Sequence, residues 1–234
     1  MVLLLIMTWF GLTRQMAAPW FGHHDGNGAW ISAAVRNYQR YDLATTRLIP
    51  ATDYAPPADP AQLSFYTHHP PLIVWLSALS ARMFGLNELA LRWTAASLTL
   101  LSLAAFYALA RRLLGGTRGW LATALYGLMP MTLYFGRMPN HEPLALLVGL
   151  LFANVLLDWL RAPSRGRWLA LALLCVAAAW SMWGAVMFVG VLGGAAFGLC
   201  LLRRQMRPAA QIAALGVVAL LAVAGLMLYY EWGA

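Results

Sequence analysis

The chain has 234 residues, of which 62% are hydrophobic and 10% charged, with a mean hydropathy of +0.65. That balance excludes an ordinary water-soluble domain and places most of the chain in lipid. Sixteen arginines against eight acids give a formal charge of +8, and lysine is absent. A nucleic-acid binder would gather such charge on one face of a soluble module. Here the arginines punctuate apolar runs, so nucleic acid is excluded as a partner and membrane orientation accounts for the charge.

A helix crossing the bilayer core needs about 20 apolar residues, so the expected fold is an all-α integral membrane bundle of about seven transmembrane segments. Val2 to Leu12 is apolar but short, and reads as a clipped first crossing or a signal-like segment. Residues 13–90 form a long polar loop expected outside the cytoplasm. Two interfacial helices are predicted in it, about Asn27 to Tyr41 and Leu72 to Phe84. The second is opened by Pro70 and Pro71, with Leu72, Trp75, Leu76, Leu79 and Met83 on its lipid side. Pro50, Pro56, Pro57 and Pro60 predict a mobile loop tip between them.

Six crossings follow, about Leu91 to Ala110, Trp120 to Phe135, Pro143 to Leu160, Trp168 to Trp183, Ala185 to Leu202 and Ala209 to Tyr230. Pro130 is expected to kink the second of these. Gly190, Gly194 and Gly198 recur every fourth residue and predict close helix contact. Cys175 and Cys200 lie in apolar runs without ligand spacing and read as packing residues. Arg111, Arg112, Arg118, Arg161, Arg165, Arg167, Arg203, Arg204 and Arg207 fill alternate loops, whereas the intervening loops hold Arg137 alone. The positive-inside rule therefore sets the long loop and the Arg137 loop on the extracytoplasmic face of a plasma membrane, such as a bacterial inner membrane.

All five histidines and seven of the eight acids, Asp158 excepted, fall on that outer face. Polar groups avoid lipid and must collect somewhere, which explains the side but not the compactness of three islands. These are Gly22-His23-His24-Asp25-Gly26-Asn27-Gly28, Tyr66-Thr67-His68-His69-Pro70-Pro71 and Arg137-Met138-Pro139-Asn140-His141-Glu142. Asp25 and Glu142 each precede a helix, where a carboxylate can simply cap free amides. Two carboxylates facing one outer cleft are also what a general base and its electrostatic partner need. His68, His69 and His141 can stabilise a phosphate, shuttle a proton or, with Asp25 or Glu142, coordinate a divalent metal such as zinc or manganese. No HExxH or CxxC spacing fixes such a metal, and no cofactor is demanded. Arg137 either pairs with a lipid phosphate or anchors its helix at the headgroups.

The order of these features resembles the GT-C membrane glycosyltransferases of the protein O-mannosyltransferase and lipid A aminoarabinose transferase type. The similar stretches are His24-Asp25-Gly26-Asn27-Gly28, Tyr66-Thr67-His68-His69-Pro70-Pro71-Leu72, Asn87-Glu88-Leu89-Ala90-Leu91-Arg92 and Ala110-Arg111-Arg112-Leu113. The resemblance implies that Asp25 is the catalytic carboxylate and that the Pro-Pro-Leu segment is an interfacial helix by the donor site. Aminoarabinose transferases carry an acidic and a basic residue where this chain has His68 and His69. Family members have more crossings, so the chain reads as one transmembrane domain, 1–234, forming the N-terminal part of a longer enzyme.

Islands and resemblance together lead to an expected inverting transfer of a sugar from a polyprenyl-phosphate donor in the bilayer to a protein, lipid or glycan acceptor. Asp25 and Glu142 are the expected catalytic pair, and His24, Tyr66, His68, His69, Arg137 and His141 the expected substrate contacts. The rival readings are a transporter or flippase and a partner-binding membrane subunit. A transporter would place ionisable groups near mid-membrane, and the crossing cores here lack them.

Overall fold

The computed structural model describes residues 2–21 and 25–233, so His23 and the expected substrate contact His24 lie outside the described residues. The chain is helical almost throughout. Its elements are α1 (Val2–Thr13), α2 (Gly26–Thr45), a 3-10 turn (Pro60–Gln62), α3 (Leu72–Phe84), α4 (Glu88–Leu114) and α5 (Gly116–Leu128). Then come α6 (Pro130–Phe135), α7 (His141–Arg161), α8 (Arg165–Ser181), α9 (Trp183–Leu202) and α10 (Met206–Gly233).

Among the described residues, α4, α7, α9 and α10 are each long and apolar enough to cross a membrane alone. The 17-residue α8 runs beside α7 and α10 and, at 1.5 Å per residue, reaches about 25 Å, close to the bilayer core. The expected crossing over Trp120 to Phe135 is instead two helices. Proline lacks the N–H and forces its predecessor out of helical geometry, so Met129 is extended (φ −63°, ψ 133°) and α6 restarts at Pro130.

In α7, 56% of the apolar span is buried, against 17% in α10, so α7 is the bundle's centre. Trp159 and Phe152, its largest fully buried side chains, pack with Leu171, Cys175 and Val189 from α8 and α9. At one end, Arg112 of α4 lies 3.0 Å from Asp158 of α7, which accounts for the one acid that falls off the outer face. One turn deeper, Asn154 Nδ2 donates to the carbonyls of Ala105 at 2.9 Å and Leu150 at 2.8 Å.

Close helix contact comes from other glycines than expected. A Cβ at Gly119 would sit 2.7 Å from the Arg111 backbone, and one at Gly127 2.9 Å from Thr8 Oγ1. A Cβ at Gly190, Gly194 or Gly198 would meet nothing within 4 Å. Gly190 and Gly194 instead line an open apolar groove of about 330 Å³ beside α10.

The long loop folds over the opposite end of the bundle. α3 occupies the predicted residues, burying Ile73, Val74, Ser77, Ser80 and Ala81 while Leu79 and Met83 face out. The segment expected to be a mobile tip is tied down by polar groups of α2. Asn37 Nδ2 donates to the carbonyls of Ala51 (2.7 Å) and Asp53 (3.1 Å), Arg36 donates to Tyr54 (2.7 Å), and Tyr41 donates to Pro57. An antiparallel bridge between Ala51 and Phe65 closes the loop. Backbone amides and carbonyls buried by a loop need such partners, and α2 supplies them from one face.

Candidate functional site

Two of the islands meet at one cavity of about 380 Å³, lined by Asp25, Arg92, Arg137, Tyr134, Gln15 and Met138 among others. Asp25 sits at the start of α2 but does not cap it through its side chain. Its own backbone is already helical (φ −69°, ψ −9°), and Oδ2 turns back to accept the Phe21 N–H at 2.7 Å. The carboxylate is thereby held at the cavity wall.

Arg92, in the second turn of α4, is 6% exposed. It donates to the carbonyls of Met16 (2.8 Å) and Ala18, and its guanidinium lies 4.1 Å from the Trp20 ring centroid. Planar stacking and two carbonyl acceptors fix the orientation of a group that remains charged under all ordinary conditions. Gly28 makes room for this arrangement, because a Cβ there would overlap the Trp20 ring. The glycine next to Asp25, Gly26, has none of the described residues within 4 Å of a notional Cβ. Arg137 reaches the cavity from the segment after α6 and donates to the Arg14 carbonyl. With one carboxylate and two guanidiniums in its lining, the cavity carries a net positive charge suited to an anion.

Tyr66, His69 and His141 form a second, adjoining cluster that Trp30 of α2 completes. The Tyr66 hydroxyl lies 2.6 Å from His69 Nδ1, and the two rings are nearly parallel (8°). The His69 and His141 ring centroids are 4.8 Å apart, and Trp30 stacks on His141 at 5.7 Å. His141 is 4% exposed, and its Nε2 has no hydrogen-bond partner among the described residues. Trp183 Nε1 donates to the His68 carbonyl (2.8 Å) and the Tyr230 hydroxyl to that of His69 (2.7 Å), so α9 and α10 hold this segment by its backbone. Burial, then the neighbouring His68, lowers the His69 pKa from its ordinary value, with Glu142 opposing. Burial raises that of Tyr66.

Glu142 does not line the Asp25 cavity. Its exposed carboxylate stands where two mainly apolar grooves meet, one of about 520 Å³ bounded by Thr99, Tyr126, Phe135 and Pro143, the other of about 240 Å³ bounded by Met182 and Phe188. Met138 separates the larger groove from the Asp25 cavity and is contacted by Asn27 Nδ2 at 3.8 Å. His68 is exposed beside Tyr66.

A metal does not fit the described residues. No three His, Cys, Asp or Glu side chains among them converge as a metal site requires. Arg92 and Trp30 were missed as site residues in the sequence reading. Arg92 carried a signal, since an arginine four residues into an apolar helix needs a buried partner or a role.

Such a bundle, with a polar loop folded over one end and its charged cavity beneath, is a polytopic integral membrane protein of the GT-C fold. The chain belongs to the family described as dolichyl-phosphate-mannose-protein mannosyltransferase, whose model matches residues 68–230. His68, His69, Arg92, Arg137, His141 and Glu142 fall within that match, and Asp25 and Tyr66 precede it. A solved structure, ArnT from Cupriavidus metallidurans in the apo state, is similar over 97% of this chain with a TM-score of 0.58 and 19% identity. The likeness is one of fold, and the chain spans 40% of that protein's length. No curated protein sequence matches the chain.

Proposed function

We propose that this chain carries the donor-phosphate and base groups of a membrane glycosyltransferase that transfers a sugar from a polyprenyl-phosphate donor at the extracytoplasmic surface. One observation carries the reading: Asp25, Arg92 and Arg137 line a single cavity at the loop end of the bundle. The family supports the reaction class, and the arginine bias supports the side of the membrane.

Asp25 takes the proton of the acceptor hydroxyl as its oxygen attacks the anomeric carbon. The bond from that carbon to the phosphate oxygen breaks, and the phosphate leaves with the electron pair, inverting the configuration. Negative charge grows on the leaving phosphate, so the guanidiniums of Arg92 and Arg137 favour the transition state over the ground state. Their fixed orientation avoids reorganisation during the reaction. Tyr66, His69 and His141 supply a rigid polar and aromatic wall next to this site. Glu142, which does not line the Asp25 cavity, acts in this reading on His69, whose proton affinity it raises.

The test is transfer from polyprenyl-phosphate-linked sugars in membranes containing the full-length protein, at equal expression. Asp25→Asn keeps the size and the Phe21 hydrogen bond but removes the base, and is expected to lower turnover at least ~100-fold. Wild-type turnover in that variant would refute the role of Asp25. Absence of turnover in the wild type across several donors, with solute uptake present, would favour a transporter.

A further inference from the structure

We propose that the groove between the first turns of α8 and α10 binds an anionic phospholipid. The charge of the chain is divided unevenly between its two ends. The loop-rich end holds seven arginines and seven acids and is formally neutral, whereas the opposite end holds nine arginines and Asp158 alone. The formal charge of +8 therefore resides entirely on the second end, where the single acid is already engaged with Arg112.

Within that end, the groove between α8 and α10 combines cations with an apolar trough. Arg165, Trp168 and Leu169 of α8 and Ala210, Gln211 and Ala214 of α10 line a groove of about 600 Å³. Arg207 lies one turn before Ala210 and Gln211 and so shares their face of α10. Arginines 165 and 207 thus head the two walls, both exposed and neither in an ion pair among the described residues. Trp168 Nε1 donates to the Gln211 carbonyl at 3.0 Å, which sets the indole as a wall between the helices. The Gln211 side chain stays at the exposed rim.

The order from the rim inward is guanidinium, amide and indole, then Leu169 and Ala214. A phosphate diester with adjoining acyl chains presents the same order, charge first and hydrocarbon beneath. A soluble anion would leave the apolar trough unfilled, and a zwitterionic lipid would bring a cation against the arginines. Charge complementarity thus selects an anionic lipid of the leaflet facing the arginine loops, where each nearby arginine strengthens binding.

The experiment uses the full-length protein in nanodiscs containing phosphatidylglycerol and phosphatidylcholine, with native mass spectrometry reading the lipid retained. Phosphatidylglycerol is expected to be retained preferentially, and the double variant Arg165→Gln, Arg207→Gln to lose that preference about tenfold. Arg111→Gln with Arg118→Gln, which removes equal charge from the same end away from the groove, is expected to keep it. Quenching by phosphatidylglycerol brominated on its acyl chains, taken as wild type minus Trp168→Phe, is expected to report contact with Trp168 in the unaltered groove. Equal retention of the two lipids, equal loss in both double variants, displacement by glycerophosphoglycerol lacking acyl chains, or absent Trp168 quenching because another segment covers the groove would each overturn the proposal.

Discussion

The two glycines after Asp25 allow a controlled test of how the site is assembled. Gly28→Ala places a methyl group where the Trp20 ring lies, whereas one at Gly26 meets none of the described residues. Both positions are in the first turn of α2, so the gain in helix propensity, about 1 kcal/mol, is common to the pair and cancels in their difference. What remains is overpacking at Gly28, about 1–3 kcal/mol. Relief requires Trp20 to move, and Trp20 stacks on Arg92 at 4.1 Å, so the guanidinium also loses a contact of about 1 kcal/mol. Gly28→Ala is therefore expected to be less stable than Gly26→Ala by 1–3 kcal/mol. It should also lose about tenfold or more in sugar transfer. The assay is detergent-solubilised unfolding followed by intrinsic fluorescence, paired with turnover in membranes. Equal stability and equal turnover of the two variants would show that Trp20 does not position Arg92.

Arg92→Lys keeps the charge and a donor for the two carbonyls but loses the guanidinium contact with Trp20; turnover is expected to fall at least ~10-fold with little change in expression, and unchanged turnover would remove Arg92 from the site. The pKa of His69 is lowered from its ordinary 6.5, so the neutral ring is favoured by folding. Its contribution is fully present above that value and is lost as pH falls through the folded pKa, so thermal stability should decline on going from pH 7.5 to 5 more in wild type than in His69→Gln. Asn154→Ala, which breaks two buried bonds, is expected to cost about 1–2 kcal/mol. Asp158→Asn is expected to cost no more than about 1 kcal/mol, because the side chains of its pair with Arg112 are 31% and 37% exposed; a reversal of that order in unfolding measurements would refute the assignment. Asn37→Ala releases the Ala51 carbonyl and leaves that of Asp53 to Arg36 alone, and is expected to speed proteolysis within residues 50–60.

Much of the molecule was legible from composition and periodicity. Long apolar runs leave a chain little choice but helices, since lipid offers backbone groups no partners. The 13-residue stretch Leu72–Phe84 was too short to cross and opened by two prolines, which bounded α3 correctly. Pro130 announced a discontinuity by its missing N–H, though only the structure showed two helices rather than one bent one. Asp25 stood out because carboxylates are scarce in such a chain.

Contacts between distant segments were decided by tertiary structure alone. Helical periodicity says which residues share a face and nothing about which face meets it. Gly190 and Gly194 of the α9 repeat line an open groove, while Gly119, unremarkable in sequence, brings two helices together. Glu142 and Asp25 both begin helices beside polar islands, but only the structure sets Asp25 in the cavity that Arg92 lines and Glu142 where two apolar grooves meet. Arg92 entered the site through Met16, Ala18 and Trp20, more than seventy residues earlier in the chain. A one-dimensional pattern records hydrophobicity and spacing, which set helices and membrane side; the meeting of side chains depends on how whole helices pack, which no local pattern encodes.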